Sequence, residues 1–390
     1  METNLVQNTK ALKSLPDLWS VRDFPDVIKD ASGGNKKTLK SDFLDEGDFA
    51  IVDQGQNLIA GYTNNQDLLV KSSPPYVIFG DHTRIFKYID IPFAMGADGT
   101  KILKPKEDGT INEKYLYFFF LTLNIPNTGY NRHFKHLKNT KIPLPPMAEQ
   151  KKIVEILDAA DSLRQKDQQL IEYYTALSQS LFLDMFGDPV ANPKGYEQRT
   201  LLELTNKITD GTHHTPTYTE SGVPFLRVTD VTESNDSKKY ISLEAHEELI
   251  KRCHPKKNDI LYTKNGTIGV GKVIDWDFDF SIFVSLCLLK PKHNVIEVKY
   301  LNHFLNTPFA IRQAMRHSKE ATIKNLHLVE IRKMKIPYPS KKEQKTFVSK
   351  LEEIECQKQQ AQASLEKSEA LFNSLLQRAF KGELTGKKAV

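Results

Sequence analysis

The sequence predicts a mixed α/β (α+β) protein in which two copies of one domain-plus-helix unit, in a pseudo-two-fold arrangement, are joined by two long antiparallel coiled-coil helices. Three observations carry this. The phrase Lys141-Ile142-Pro143-Leu144-Pro145 returns as Lys335-Ile336-Pro337-Tyr338-Pro339, displaced by 194 positions (from 141 to 335). After each copy comes a long segment without Pro or Gly. Further matches upstream of each copy, at the same and slightly drifting offsets, make the stretch before it part of the repeat.

The repeat extends on both sides of the phrase. At the same offset Glu149-Gln150-Lys151 meets Glu343-Gln344-Lys345, and Val154, Leu157, Ala176, Leu177, Ser180, Leu181 and Phe186 meet Val348, Leu351, Ala370, Leu371, Ser374, Leu375 and Phe380. Upstream, Thr128, Asn131 and His133 match Thr322, Asn325 and His327. Lys114-Tyr115-Leu116 is similar to Lys299-Tyr300-Leu301, and Asp48 and Gly55 to Asp259 and Gly266, at slightly different offsets. The organisation expected is a first domain at 1–140, a Pro-rich linker and helix at 141–189, a second domain at 190–334, and a second linker and helix at 335–390.

The uninterrupted segments, about Ala148 to Phe186 and Lys341 to Lys381, are predicted helices. In the first, Ile153, Ile156, Ala160, Leu163, Leu170, Tyr174, Leu177 and Leu181 alternate three- and four-residue steps, with Asp167 interrupting. In the second, Phe347, Leu351, Ile354, Ala361, Leu365, Phe372 and Leu375 do the same around Lys358 and Ser368. Both are coiled-coil seams in need of a partner. At ~1.5 Å per residue, roughly 39 residues make a rod near 58 Å. Pairing the two helices antiparallel buries both stripes; the alternative is that each folds back on its own domain. Gly187-Asp188-Pro189 and Lys381-Gly382 supply the stops.

Composition narrows the function classes. A chain of 390 residues with 39% hydrophobic and 26% charged residues supports two or three cored units. Met1-Glu2-Thr3-Asn4 carries no signal-like pattern, and the greasiest run, Tyr115 to Leu121, falls short of the roughly 18 residues of a membrane span, so a cytoplasmic protein without a membrane partner is expected. Cys253, Cys287 and Cys356 are too few and too scattered for a disulfide framework or a zinc site, and read as packing residues. A net charge of +5, from 54 Lys+Arg against 49 Asp+Glu, permits a nucleic-acid partner without requiring one.

The doubled Ile-Pro-x-Pro phrase with its Glu-Gln and long helix, together with Phe182-Leu183-Asp184-Met185-Phe186-Gly187-Asp188-Pro189, resembles the specificity subunits of type I restriction-modification systems, over essentially the whole chain. The resemblance implies two target-recognition domains, each reading half of a split, non-palindromic site in double-stranded DNA. It implies paired helices that act as a ruler and dock two methyltransferase subunits, with restriction/translocase subunits joining. It implies no catalytic residue, metal or cofactor in this chain, S-adenosylmethionine belonging to the partner.

Candidate DNA contacts follow from side-chain chemistry. Asp259 to Thr263 reads as a strand, Lys264-Asn265-Gly266-Thr267 as a hairpin tip and Val270 to Ile274 as the returning strand; the tip offers a cation, an amide and a hydroxyl, which suit phosphates and base edges. Asp53-Gln54-Gly55-Gln56 is its expected counterpart, with Gln54 and Gln56 as readers. Either tip also reads as an ordinary polar turn. Asp210-Gly211-Thr212-His213-His214-Thr215-Pro216 and the Arg227 that follows Phe225-Leu226 are further candidates through Thr212, His213, His214, Thr215 and Arg227. The adjacent histidines face opposite sides of an extended chain, which argues against a metal. In the first domain the candidates are His82, Thr83 and Arg84 of the Phe79 to Arg84 phrase, which resembles a family loop, and Asn131 and Arg132 of the Gly129 to Phe134 phrase, which precedes the first Ile-Pro-x-Pro phrase. Asn131 and Asn325 are candidates either as DNA contacts or as helix caps. Lys36 and Lys37 are phosphate candidates, as is the pair Lys256-Lys257, unless they form a solvated face.

Competing readings are weaker. Ser73-Pro74-Pro75-Tyr76 resembles the catalytic tetrapeptide of amino-methyltransferases, but no glycine loop accompanies it. Gly266 to Lys272 matches neither a Walker loop nor a dinucleotide fingerprint. The remaining alternatives are a specificity subunit of another multi-subunit restriction enzyme and a coiled-coil interaction scaffold.

Overall fold

Both Pro-rich phrases are β-strands, where the sequence had suggested linkers. Lys141–Leu144 pairs antiparallel with Ser20–Asp23, placing Pro143 opposite Val21, and Lys335–Tyr338 pairs with Glu197–Thr200, placing Pro337 opposite Gln198. Proline is admissible because each ribbon has only two strands, leaving an outer edge where a missing N–H breaks no ladder. The computed structural model describes residues 15–96, 98–107, 109–129, 131–232, 239–315 and 325–385. Met1 to Asn4, Tyr130 and Thr322 lie outside the described residues. The chain divides into two units: Met1–Gln169 with Gln362–Val390, and Leu170–Ala361.

The first unit runs β1 (Ser20–Asp23), α1 (Phe24–Val27), β2 (Ile28–Asp30), β3 (Phe49–Val52), β4 (Gly61–Thr63), β5 (Tyr76–Gly80), β6 (Phe86–Ile89), β7 (Phe93–Met95), β8 (Thr100–Pro105), α2 (Glu113–Leu121), α3 (Phe134–Leu137) and β9 (Lys141–Leu144), then enters α4 (Met147–Phe186). Beside the β1-β9 ribbon stand a four-stranded sheet, β2-β8-β5-β6, and a three-stranded one, β4-β3-β7, in which β3 and β7 are parallel. Every residue of β5 is buried. Alternate residues point to opposite faces: Val77 and Phe79 pack with Tyr115, Leu116, Phe118 and Phe119 of α2, and Tyr76 and Ile78 with Phe93 and Met95.

The second unit repeats the plan: β10 (Glu197–Thr200), α5 (Leu201–Leu204), β11 (Thr205–Asp210), β12 (Val223–Leu226), α6 (Val228–Thr232), β13 (Tyr240–Ile241), α7 (Leu243–Ile250), β14 (Ile260–Thr263), β15 (Gly271–Val273), β16 (Ser281–Ile282), β17 (Leu286–Pro291), α8 (Val298–Leu305), α9 (Pro308–Met315), α10 (Leu328–Lys333), β18 (Lys335–Tyr338) and α11 (Lys341–Ala379). Its sheets are β10-β18, β11-β17-β14-β15 and β13-β12-β16, with β12 and β16 parallel. The internal repeat is therefore carried strand by strand.

This correspondence corrects one pairing read from sequence. By position and register β14 is the counterpart of β5: Val77 faces Leu103 as Ile260 faces Leu289, and Gly80 faces Thr100 as Thr263 faces Leu286. The counterpart of Lys264-Asn265-Gly266-Thr267 is thus the turn Asp81-His82-Thr83-Arg84, not Asp53 to Gln56, which follows β3. Matching Asp48 and Gly55 to Asp259 and Gly266 was misleading because acids and glycines flank many of the strands here; only hydrogen-bond partners distinguish them.

The repeated motif residues do the same mechanical work in each unit. Gln150 Nε2 donates to the Pro145 carbonyl (3.0 Å) while its Oε1 accepts from the Asn112 amide (2.9 Å); Gln344 Nε2 donates to the Pro339 carbonyl (2.9 Å) and its Oε1 accepts from the Glu297 amide (2.8 Å). Tyr115 and Tyr300 donate their hydroxyls to the carbonyls of Pro143 (2.6 Å) and Pro337 (2.8 Å). All four side chains are buried, so these carbonyls and amides are satisfied where water does not reach.

The two long helices have the expected extents, and the seam of α11 is largely as read: Phe347, Leu351, Ala361, Leu365 and Phe372 are buried, but Ile354 and Leu375 are half-buried, and Ser368 and Leu376 turn inward. The seam of α4 is not. Leu163 and Leu170 are exposed, and the inward stripe runs through Ile153, Leu157, Ala160 and Asp167 to Phe182 and Phe186. Both tracks step by threes and fours, and what selects one is the partner surface: Arg164 rather than Leu163 turns inward, its guanidinium 5.0 Å over the Phe372 ring. In the first unit Ile153, Leu157 and Ala160 share a core with Phe372, Leu376 and Ala379 of α11 and with Phe380 just past its end; Arg164 meets Phe372 and the earlier Glu149 meets the later Thr385, an antiparallel pairing. In the second, Phe182 and Phe186 of α4 pack on Phe347 of α11. Neither helix folds back on one unit alone. Gly187 (φ 76°) and Gly382 (φ 73°) end them in the left-handed conformation.

Cys253 and Cys287 are buried packing residues, but Cys356 is exposed on α11, correcting its reading as a packing thiol. Among the described residues no helix is long and apolar enough to cross a membrane.

Candidate nucleic-acid interface

In the second unit the loop after β11, the tip after β14 and the end of α7 converge on one buried carboxylate. Asp210 ends β11 with its side chain 7% exposed. Its Oδ2 lies 3.3 Å from Lys264 Nζ and 3.2 Å from His213 Nε2, and Arg252 Nη2 donates to its Oδ1 (3.0 Å) and main-chain oxygen (2.8 Å) and to the Gly211 carbonyl. Gly211 has to be glycine, since a Cβ there would lie 2.0 Å from the Ile282 carbonyl oxygen. Beyond it Thr212 is held by β16, its amide donating to Ile282 (3.1 Å), and its hydroxyl is tied to His214. His213, His214 and Thr215 are exposed.

The hairpin tip spans Lys264 to Gly269, closed by the Thr263 amide donating to the Val270 carbonyl (2.9 Å). Lys264 is buried against Asp210 and so is a strut of the tip, not a free cation. Asn265 bridges to Asn325, and the Lys264 carbonyl accepts from the Leu326 amide (2.8 Å), joining the tip to the segment that leads into α10. Thr267 is exposed at the tip. Arg227 follows β12 and turns back on Asp230, with Nε 3.5 Å from Oδ2. The sequence from Gly266 to Lys272 is tip and strand β15, without the strand-to-helix turn of a nucleotide loop.

The first unit builds the same corner with different side chains. Asp81 stands where Lys264 stands, equally buried and opposite in charge. Its Oδ1 accepts from the Phe134 amide (2.7 Å) at the start of α3, and its carbonyl accepts from the His133 amide (2.9 Å). Gln54 clamps this turn to the loop after β3: Oε1 accepts from the His82 amide (3.1 Å), Nε2 donates to the Asp98 carbonyl (3.0 Å), and Thr83 Oγ1 donates to the Gln54 carbonyl (2.6 Å). Beneath the loop, buried Lys87 donates to the carbonyls of Asp53 (2.8 Å) and Asn57 (2.5 Å); burial holds its ammonium below the usual lysine range. Gln56 is left exposed.

Arg84, at φ 63°, directs its guanidinium to the Ile125 carbonyl (3.1 Å) and braces the fold. Lys36 is exposed, and Lys37 is ion-paired with Asp98. Lys37 and Arg132 line one cavity of about 520 Å³ with Lys101, Asp30, Asp81 and Asp98. Lys256 is exposed and Lys257 pairs with Asp277 (2.8 Å). Neither Asn131 nor Asn325 caps a helix: the caps of α3 and α10 are His133 and His327, while Asn131 bonds the Thr128 carbonyl within its own turn. Both asparagines fall two residues too early.

The sequence reading missed Asp210 as the organiser, Arg252, Lys87 and Asp98. No local pattern marks them, since each acts on a loop about thirty positions away or more. Ser73-Pro74-Pro75-Tyr76 leads into β5, with Tyr76 buried 5.0 Å from the Phe93 ring.

The family model described as "Type I restriction modification DNA specificity domain" matches this chain twice, over residues 16–173 and 193–367. The chain belongs to that family. Relatives of the specificity family include the Escherichia coli type I restriction enzyme EcoBI specificity subunit, 24% identical over 92% of this chain and 79% of that one. A putative type I specificity subunit of Haemophilus influenzae is 24% identical over 85% of this chain and 86% of its own. Among solved structures, the S subunit of the type I restriction-modification system from M. genitalium has the same fold, with a TM-score of 0.58 at 18% identity over 93% of this chain and 96% of that one. A chain of another type I R-M system superposes at 0.54 and 17% identity, over 95% and 99%. This chain is thus a type I specificity subunit in family and fold, built for DNA recognition.

Proposed function

We propose that this specificity subunit reads a split, non-palindromic site in double-stranded DNA, one half through each unit, and directs the modification chemistry of two docked methyltransferase subunits. The observation that carries the reading is the repetition of one sheet plan in which the corner after β5 and the corner after β14 hold different side chains. The equivalent turns present His82 and Thr83 in one unit and Asn265 and Thr267 in the other, beside loops that are not counterparts: Gln54 and Gln56 after β3, with the Gln54 amide bracing the turn, and His213 and His214 after β11. Amides, hydroxyls and imidazoles on braced loops suit base edges, and the exposed lysines and Arg132 suit phosphates.

Two helices of 40 and 39 residues run through both units, which supports a ruler that sets the spacer between half-sites. Their outward residues, Leu163 in the first unit and Leu170 and Tyr173 in the second, are apolar and exposed, a fitting surface for the methyltransferase subunits, with restriction/translocase subunits joining the assembly. In this reading the chain acts in the cytoplasm, forms no bond and needs no cofactor; S-adenosylmethionine is bound by the partner. Co-expression with the cognate methyltransferase in a methylation-free host, followed by mapping of modified bases, tests it. One split motif that vanishes without this chain is expected. A stable complex that leaves the genome unmodified would refute it and favour a scaffold.

A further inference from the structure

The charge balance at Asp210 is incomplete. Among the described residues Arg252 and Lys264 share this one carboxylate, and His213 is a third partner on it. Lys264 and Asp210 are buried, at 6% and 7% side-chain exposure, whereas Arg252 is 55% exposed. The buried pair lies behind the arginine, outside the lining of the cavity that Arg252 opens onto. Arg252 spends Nη2 on Asp210 and Gly211, leaving its other donors toward a cavity of about 410 Å³ lined by Thr212, His213, His214 and Ser281. The cavity's other walls do not supply the missing charge. Glu248 is engaged by Lys251, and burial pushes the Cys253 thiol up to about 11, so no thiolate is present at neutral pH. The cavity of the first unit contrasts with it, since Lys37, Lys101 and Arg132 face Asp30, Asp81 and Asp98.

We propose that the second unit carries an anion seat at its cavity, in which Arg252, with His213 and His214, takes a backbone phosphate of the DNA, Asp210 being the positioning residue that aims Arg252 and His213. Surplus positive charge beside a low-dielectric floor favours an anion more than the same charges in open solvent. A guanidinium anchored through one nitrogen loses little further freedom on binding phosphate. The seat rests on the DNA-reading role proposed above, and adds to it that this contact sets affinity and register without reading a base.

The test uses the chain assembled with its cognate methyltransferase subunits, a duplex carrying the mapped motif and a duplex lacking it. Arg252→Gln is expected to weaken both duplexes by about the same factor, on the order of tenfold. The slope of log affinity against log salt should become shallower by about 0.9, the signature of one phosphate fewer being neutralised. The methylated motif should not change. A purely structural arginine would leave that slope untouched. His214→Glu, an exposed change that spares the Asp210 bonds, should act in the same direction, and serves if Arg252→Gln does not fold. Wild-type salt slopes in the folded variants would overturn the seat, as would loss confined to the motif duplex, which would make Arg252 a base reader. If the unaltered complex binds no DNA and modifies no motif, the reading role itself has failed; if it does both, only the seat is at stake.

Discussion

The Glu297 amide donates to Gln344 Oε1 at 2.8 Å, so the start of α8 is bonded directly to the start of α11. With Gln344 Nε2 on the Pro339 carbonyl, one buried amide side chain ties together a recognition unit, its last ribbon strand and its long helix. Gln150 does the same in the first unit.

Replacing Gln344 with Leu leaves two polar main-chain groups buried and unpaired. The expected cost is about 2–6 kcal/mol, from roughly 1–3 kcal/mol for each group. Denaturant unfolding of the full chain would measure it.

The α4 and α11 seams make opposite predictions for two apolar side chains. Phe372→Ala removes a buried ring packed on Phe118 and under Arg164, and should cost about 3–5 kcal/mol. Leu163→Ala, at an exposed position, should stay within about 0.5 kcal/mol. The same Leu163 variant is expected to weaken capture of the methyltransferase subunit, read by co-purification.

His303 gives the second unit a stability that depends on pH. Burial lowers its imidazole to about 4, between the Phe182 ring at 5.6 Å and the Phe347 ring at 5.1 Å. The folded value lies below the unfolded value of about 6.5. The contribution is therefore whole above pH ~6.5 and is lost as pH falls from there through about 4, because the unfolded chain takes up the proton first. His303→Phe should flatten the melting temperature over that window, and an unchanged slope would reject the assignment.

Inserting one heptad into α4 and one into α11 should lengthen the spacer between the halves of the methylated motif while leaving each half as it was. Methylation mapping reads both quantities, and a changed half-site would contradict the ruler.

Thr267→Ala and Gln56→Ala should each relax one half of that motif, and not the same half, since each side chain is exposed on a different unit. Relaxation of both halves by either variant would contradict independent reading.

Much of the architecture was legible in the chain. The repeat at 141 and 335 marks two equivalent units, and freedom from Pro and Gly marks the two helices nearly to the residue. These are local signals, carried by neighbours along the backbone. The candidate contacts were legible only as residue types. Lys264 read as a cation of an exposed tip, yet it is buried on Asp210; Arg84 read as a DNA contact on a family-like loop, yet it braces the Ile125 carbonyl.

The sequence by itself determined the two-unit plan, the positions of the long helices and the kinship with type I specificity subunits, because periodicity, helix breakers and repeated motifs are properties of adjacent residues. Tertiary structure alone decided that the Pro-rich phrases are strands, that β14 answers to β5, that Arg164 and not Leu163 faces the seam, and that Asp210 gathers Arg252, Lys264 and His213. Those outcomes depend on which distant surfaces share a burial site. A buried charge or amide must find its partner wherever the fold brings one, and nothing in the local pattern of either residue names the other.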